Sequence, residues 1–340
     1  MDGAVGARAP ADPAPAAGHR PVIALPPGAR AWDDGLALEA ADGTALRAAI
    51  WRPGPAATAD RGLALLLTGR VEFLEKIALP ATALSDRGYT VASLDWRGQG
   101  LSARALRDRR RAHVDDFERY DADLAALLSY PALAALGPVR VVLSHSMGGC
   151  ILQGALARGT VTADRLIYSA PMAGVRAGGA AKGALPGVAR TMRALGLGGA
   201  WPPAPRAGRA YVLKGFDGNC LTSDRTLYDW YADGLREKPS LALGLPTFGW
   251  LAAAFDAMEQ AAALQQTHIP SLVLIGSREG VVDPAAVRAM ARAIDAKLAV
   301  IDGARHDLFM ETPPRRAALW QAIDEFLGLP GTDVAAASAG

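Results

Sequence analysis

The sequence predicts an α/β fold in which helices cover both faces of a mostly parallel β-sheet of about eight strands. Three observations lead to this prediction. Short apolar runs bounded by Gly, Pro and Asp recur along the chain, and longer stretches with helical periodicity lie between them. The chain has 340 residues, 51% of them hydrophobic, which is enough to bury a substantial core.

Six of the apolar runs are short and continuous, as buried parallel strands are. They are residues 62–67, 89–94, 139–143, 165–169, 271–275 and 298–301. Residues 35–39 and 46–51 alternate in polarity around Asp42-Gly43, which predicts two antiparallel strands at the edge of the sheet. Helical patterns cover residues 73–87, 114–128, 147–158, 284–294 and 313–326.

One stretch interrupts this alternation and is expected to be a cap. Residues 173–263 lie between two predicted core strands but have no clear strand pattern, and they include Trp201, Trp230 and Trp250. Within the stretch, residues 241–258 are apolar enough to line an acyl pocket and equally apolar enough to pack on the core.

The remaining boundaries follow from composition. We expect residues 28–172 and 264–330 to form the core domain around the inserted cap. The Ala- and Pro-rich residues 1–27 are expected to be a flexible arm, and residues 331–340 a flexible tail.

Composition excludes several classes of function. The formal net charge is +2, and the basic run at residues 107–111 is short and contains an acid, so we expect a solvated loop there and no nucleic-acid partner. Two cysteines and five widely spaced histidines form no metal-ligand pattern, so we expect neither a metal nor a cofactor.

The amino-terminal residues and the hydropathy predict a cytoplasmic protein. Residues 1–27 lack the basic stretch and apolar core of a signal peptide, and no apolar run reaches the roughly 18 residues of a spanning helix. Peripheral contact with a membrane stays open, and the sequence does not predict an oligomeric state.

The segment 141–149 predicts a nucleophilic serine. An apolar strand runs into Ser144-His145-Ser146-Met147-Gly148-Gly149 and then into a helix, and a strand–turn–helix with small residues around a serine forms a nucleophile elbow. Gly148 meets the need for a small residue after Ser146, and Ser144 stands where a glycine is usual.

A serine nucleophile needs a base, an acid and oxyanion donors. His306 follows the 298–301 strand and is the candidate base, whereas His268 precedes a strand and lies at the wrong end of the sheet. Glu279, three residues after Gly276, is the favoured acid. Asp283 is the alternative acid, although its position before Pro284 also suits a helix cap.

The backbone N–H groups of Met147 and Arg70 are the candidate oxyanion donors, because Met147 follows the nucleophile and Arg70 lies in the loop after the first core strand. The side chain of Arg70 has two open interpretations. Its guanidinium could hold a phosphate or carboxylate at the site. It could equally form a local ion pair with Glu72 or Glu75.

Together these segments resemble the lysophospholipase and monoacylglycerol-lipase branch of the α/β-hydrolases, of the serine aminopeptidase S33 type. The matching segments are residues 68–70, 95–102, 144–149, 276–283 and 303–306. The Gly-Arg loop and the glutamate acid are more similar to bacterial lysophospholipases than to animal monoacylglycerol lipases. The cap matches no pattern, and caps select substrates in this fold.

The resemblance implies a carboxylic-ester hydrolase that needs no cofactor and acts on a small acyl ester or lipid, a lysophospholipid or a monoacylglycerol. An aminopeptidase or a small-ester esterase is the alternative on the same fold. An acid in the cap that binds a free amine would favour the peptidase, and Asp217, Asp224 and Asp229 are candidates. A third alternative is a protein with the hydrolase fold that binds a ligand without catalysis. Such a protein would lack at least one residue of the triad.

Overall fold

The computed structural model describes residues 16–176, 181–263 and 268–330. These residues contain an eight-stranded sheet in the order β1-β2-β4-β3-β5-β6-β7-β8. All neighbours from β4 to β8 are parallel. The strands are β1 (Asp34–Glu39), β2 (Ala45–Trp51), β3 (Leu63–Leu67), β4 (Thr90–Leu94), β5 (Val139–His145), β6 (Arg165–Ser169), β7 (Ser271–Gly276) and β8 (Lys297–Ile301). The predicted α/β fold is confirmed.

The predicted hairpin forms, but only one of its strands lies at the edge. β1 pairs with β2 in antiparallel register, and β2 also pairs with β4. Six of the seven residues of β2 are buried, which a strand paired on both sides requires. The prediction of an edge position was therefore wrong for β2.

The helices are α1 (Ala78–Asp86), α2 (Arg119–Leu128), α3 (Pro131–Ala134), α4 (Met147–Ala157), α5 (Ala181–Ala194), α6 (Arg225–Glu237), α7 (Phe248–Ala262), α8 (Pro284–Ala293) and α9 (Pro313–Leu327). Two core clusters cover the two faces of the sheet. On β3, Leu65 faces the cluster that contains residues of α2, α4 and α8, and Leu66 faces the one with α1 and α9. Side chains that alternate in this way place the strands between helical layers.

Two helices begin later than their apolar patterns predict. Residues 73–77 form turns before α1, although Phe73 and Leu74 are buried. Before α2, the side chain of Asp116 accepts a hydrogen bond from the Glu118 N–H at 2.9 Å. Such local side-chain bonds compete with the helix, so α2 starts only at Arg119.

The predicted cap segment contains α5, α6 and α7. Trp250, Ala253 and Met258 of α7 belong to the same core cluster as α4, so residues 241–258 pack on the core in part. α6 packs in a separate cluster together with Phe73 and Met310 of the core. We propose residues 173–263 as the cap on this basis.

Part of the predicted amino-terminal arm is packed on the core. Ile23 is buried, the His19 carbonyl accepts a hydrogen bond from the Trp32 indole at 2.8 Å, and the Ala24 carbonyl accepts one from the Trp230 indole at 2.9 Å. The buried Trp32 needs a partner for its N–H group, and the sequence pattern did not reveal that His19 supplies it. Residues 1–15 and 331–340, also expected to be flexible, lie outside the described residues.

Within the part of the chain that the structure describes, no helix combines the length and the apolar character needed to cross a membrane.

Candidate active site

Ser146 lies at the turn between β5 and α4 in a strained backbone conformation. Its φ is +50°, a value that non-glycine residues rarely adopt. A Cβ on Gly148 would overlap the carbonyl oxygen of Leu67, so glycine is required there. The Ser144 hydroxyl fits in the sheet and donates to the Ile167 carbonyl at 3.2 Å. The strain and the close packing project Ser146 from the carboxyl end of the sheet.

The structure brings Ser146, His306 and Glu279 together. Nε2 of His306 lies 3.1 Å from Oγ of Ser146, and Nδ1 lies 2.9 Å from a carboxylate oxygen of Glu279. All three residues are buried. His268 is exposed at the opposite end of β7. A serine, an imidazole and a carboxylate in this order can activate the hydroxyl as a nucleophile.

The two candidate acids have different surroundings. Burial raises the pKa of Glu279, but its bonds to His306 and to the N–H groups of Val281 and Val282 outweigh burial and hold the pKa below its ordinary value. An ionised carboxylate can orient the imidazole. Asp283 instead caps α8, because its side chain accepts a hydrogen bond from the Ala285 N–H at 2.9 Å.

The loop after β3 lies against the nucleophile. A Cβ built on Gly69 would lie 3.2 Å from Cβ of Ser146. Val71 has a φ of +64°, and its N–H donates to the Gln99 side chain at 2.6 Å while its carbonyl accepts from the Tyr231 hydroxyl at 2.8 Å. These bonds hold the strained loop in place.

Two backbone donors beside Ser146 are unused. Neither the N–H of Arg70 nor the N–H of Met147 donates a hydrogen bond to another described residue. Such N–H groups are available to an oxyanion at the carbonyl that Ser146 would attack.

The Arg70 side chain forms no local ion pair. Glu72 pairs with Lys76, and Glu75 pairs with Arg47 at 2.7 Å, so the expected local partners of Arg70 are engaged elsewhere. The guanidinium of Arg70 donates to the Gly244 carbonyl at 2.6 Å and lies 5.3 Å from the Trp250 ring centroid. It therefore contacts the cap.

A buried cluster of charges lies beneath the site, and sequence reasoning missed it. The Lys76 ammonium bonds both Glu72 and Asp307, and Glu72 also accepts the Gly69 N–H. The His145 ring stands 5.0 Å from the His306 ring and 3.9 Å from Glu72. The cluster joins the loop after β3, the nucleophile turn and the histidine loop. The spacing of Glu72 and Lys76, four residues apart, was its one sequence signal.

The same cluster has the ligand types of a metal site. Single atoms of Glu72, His145 and Asp307 lie within 4.8 Å of one another. The Lys76 ammonium already bonds two of these groups, Glu72 and Asp307, and offsets one of their two negative charges. Burial lowers the pKa of Lys76, but Asp307 and Glu72 outweigh burial and raise it above its ordinary value. The lysine thus occupies a cation position between the two carboxylates.

The cap contributes hydrogen bonds to the histidine loop. The N–H of His306 donates to the Cys220 carbonyl at 3.2 Å, and the N–H of Asp307 donates to the Leu221 carbonyl at 2.8 Å. The Arg305 guanidinium donates to the Asn219 carbonyl at 2.8 Å. Residues 219–221 of the cap therefore fix the position of the imidazole.

Comparison with known proteins identifies the family of this chain. The model of the family described as serine aminopeptidase, S33, matches residues 58–313. Lysophospholipase L2 of Escherichia coli K12 is 31% identical over 280 residues, which are 77% of this chain and 79% of that protein. The monoacylglycerol lipase of Mycolicibacterium smegmatis is 26% identical over 77% of this chain and 86% of that protein.

Solved structures support the fold. A soluble variant of the Saccharomyces cerevisiae monoglyceride lipase superposes with a TM-score of 0.65, at 18% identity, over 86% of this chain and 96% of that one. A carboxyl esterase of Bacillus coagulans gives 0.66 at 18% identity, over 86% of this chain and 97% of that one.

Proposed function

The chain belongs to the family described as serine aminopeptidase, S33, and on that premise we propose that it is a lysophospholipase with Ser146 as its nucleophile. It is an α/β-hydrolase that hydrolyses carboxylic esters, as its lysophospholipase and lipase relatives indicate. The hydrogen-bonded series Ser146–His306–Glu279 supports the catalytic assignment above all else.

The geometry supports a two-step mechanism. Ser146 attacks the ester carbonyl while His306 takes the hydroxyl proton, and His306 then gives this proton to the departing alcohol. A water that donates its proton to His306 attacks the acyl-enzyme, and His306 returns this proton to Oγ of Ser146 as the acyl–serine bond breaks and the fatty acid leaves. Glu279 orients the imidazole throughout and offsets its positive charge.

The unused N–H groups of Arg70 and Met147 stabilise the oxyanion in both steps. They are backbone donors held by folded elements, since Met147 begins α4 and Arg70 lies in the loop fixed through Val71. Preorganised donors of this kind cost no reorganisation as negative charge develops on the carbonyl oxygen.

The surroundings of the acidic cap residues do not favour a peptidase. Asp224 caps α6 by accepting the Leu227 N–H at 3.0 Å, and Asp229 pairs with Arg225 at 2.8 Å. Asp217 is exposed on the surface of the cap. An acid that binds the free amine of a peptide should instead face the site without a cation of its own.

A hydrolysis panel tests the proposal. It contains lysophospholipids, monoacylglycerols, short p-nitrophenyl esters and aminoacyl amides, each with wild type and Ser146→Ala. We expect fatty-acid release from a lysophospholipid that exceeds release from the matched monoacylglycerol and disappears in Ser146→Ala. Turnover of aminoacyl amides alone would contradict the proposal and leave the fold intact.

A further inference from the structure

Arg70 belongs to the loop beside the nucleophile and carries a cation to the cap. It directly follows Gly69, where an added Cβ would lie 3.2 Å from Cβ of Ser146, and its guanidinium contacts Gly244 and Trp250 of the cap. The guanidinium therefore lies at the junction of core and cap, one side-chain length from the backbone N–H that we assign to the oxyanion.

The guanidinium has little compensation within the described residues. One nitrogen, Nη2, donates to Gly244, while Nε is buried and Nη1 donates to no other described residue. No described carboxylate lies within ion-pair distance of Arg70. A partly buried cation without a counter-ion costs free energy. An anionic group on a bound ligand would supply the missing counter-ion.

Two other arginines show how this chain treats buried guanidinium groups that serve structure alone. Arg47 is fully buried and pairs with both Glu75 and Asp95. Arg104 donates to the carbonyls of four residues, namely Gly100, Ser102, Arg109 and Ser240. Arg70 has neither arrangement, since it has a single acceptor.

The electrostatics agree with the contrast to Arg47 alone, because burial also lowers the pKa of Arg104 to about 10. Burial lowers the pKa of Arg70 to about 10, and only the oxygens of Tyr120 and Tyr231 oppose it. Coulombic attraction by Asp95 and Glu75 outweighs burial and raises the pKa of Arg47 above its ordinary value. A bound anion would restore to Arg70 the compensation that Arg47 obtains from carboxylates.

We propose that the Arg70 guanidinium binds the phosphate of the substrate and so selects phosphate-bearing lysolipids over neutral monoacylglycerols. The inference rests on the proposed function, because the phosphate of a lysophospholipid is joined to the acyl ester through one glycerol unit. The fork of an arginine can donate two parallel hydrogen bonds to phosphate oxygens. The carboxylate of the released fatty acid offers related chemistry, and the experiment separates the two.

The first test measures substrate preference. The kcat/KM values for a 1-acyl-glycerol 3-phosphate and for the 1-acyl-glycerol with the same chain are compared in wild type and Arg70→Gln. Glutamine removes the charge and keeps a polar N–H donor on a shorter side chain. We expect the phosphate-to-neutral ratio to fall about tenfold to a hundredfold, the range for a charge-assisted hydrogen bond, mainly through KM. The exposed Arg288 serves as control, and Arg288→Gln should keep the wild-type ratio.

An unchanged ratio in Arg70→Gln, or an equal loss on both lipids, would overturn the inference and leave Arg70 as a structural contact with the cap.

The second test does not depend on lipid turnover. Glycerol 3-phosphate and laurate are titrated by calorimetry into wild type and Arg70→Gln, each with a native circular-dichroism spectrum. Loss of glycerol 3-phosphate binding in the variant supports the inference even where wild type hydrolyses neither lipid, a result that would contradict only the proposed function. Weakened laurate binding with unchanged phosphate binding, or no phosphate binding in wild type, would overturn it.

Discussion

Nδ1 of His306 lies 2.9 Å from a carboxylate oxygen of Glu279, a residue on the loop that follows the neighbouring strand β7. The other oxygen of Glu279 accepts the N–H groups of Val281 and Val282. The N–H groups of its own loop therefore hold the carboxylate in place, and its remaining oxygen faces Nδ1 of His306.

This contact predicts different effects for the two candidate acids. Glu279→Gln should lower kcat on the order of 10⁴-fold, because an amide cannot hold the imidazole tautomer that accepts the serine proton. Asp283→Asn should keep activity within about threefold, since asparagine also caps helices. Steady-state hydrolysis of a p-nitrophenyl ester measures both, and the opposite ranking would make Asp283 the acid.

Lys76 is predicted to be essential to stability. Lys76→Met leaves Glu72 and Asp307 buried without their cation, which should lower the free energy of unfolding by about 3–5 kcal/mol. Urea denaturation measures the change. Lys297, exposed on β8, is the control, and Lys297→Met should stay within about 0.5 kcal/mol of wild type. Equal stability of the two variants would show that the cluster does not need its lysine.

The same cluster predicts an acid-dependent stability. Burial raises the pKa of Glu72, but Lys76 and His145 outweigh it and lower the pKa to about 2. The unfolded chain binds this proton near pH 4.3, so the stabilisation is present above that pH and is lost as the pH falls towards about 2.

Unfolding free energies between pH 5 and pH 2 check this assignment. In this window the free energy of unfolding of Glu72→Gln should change less with pH than that of wild type. This holds whatever the stability of the variant at neutral pH. Parallel profiles for the two proteins would place the titration on other carboxylates.

Gly148 is predicted to tolerate no side chain. A Cβ there meets the backbone oxygens of Leu67 and Thr68, so Gly148→Ala should cost roughly 1–3 kcal/mol and lower kcat about a hundredfold as the loop bearing Arg70 shifts. Gly187 in α5 has open space around it, and Gly187→Ala should stabilise the protein by about 0.5–1 kcal/mol. Thermal unfolding and ester hydrolysis of both variants measure these effects, and a fully active Gly148→Ala would refute the close approach.

The sequence was informative about the sheet because its strands are apolar on both faces. Short apolar segments such as β3 and β5 are typical of buried parallel strands. The strand–turn–helix around Ser146 could be predicted because it depends only on local geometry. The positions of Glu279 and His306 could be predicted for a related reason, since both follow strands at the same edge of the sheet.

Contacts between distant segments could not be predicted in this way. The bond from Lys76 to Asp307 joins residues 231 positions apart, and the cap carbonyl of Cys220 meets His306 only after the whole chain has folded. The packing of His19 and Ile23 had no periodic signal in an Ala- and Pro-rich segment. The side chain of Arg70 was ambiguous because its neighbours Glu72 and Glu75 are close in sequence but paired with other cations.

Covalent labelling with a fluorophosphonate tests the central claim most directly. Folded wild-type protein is treated with the probe, digested and mapped by mass spectrometry, with Ser146→Ala and His306→Ala alongside. We predict one modified residue, Ser146, no labelling of Ser146→Ala, and labelling of His306→Ala slowed by at least about a thousandfold. Unmodified Ser146 in folded protein, or equal labelling of Ser146→Ala, would contradict the account.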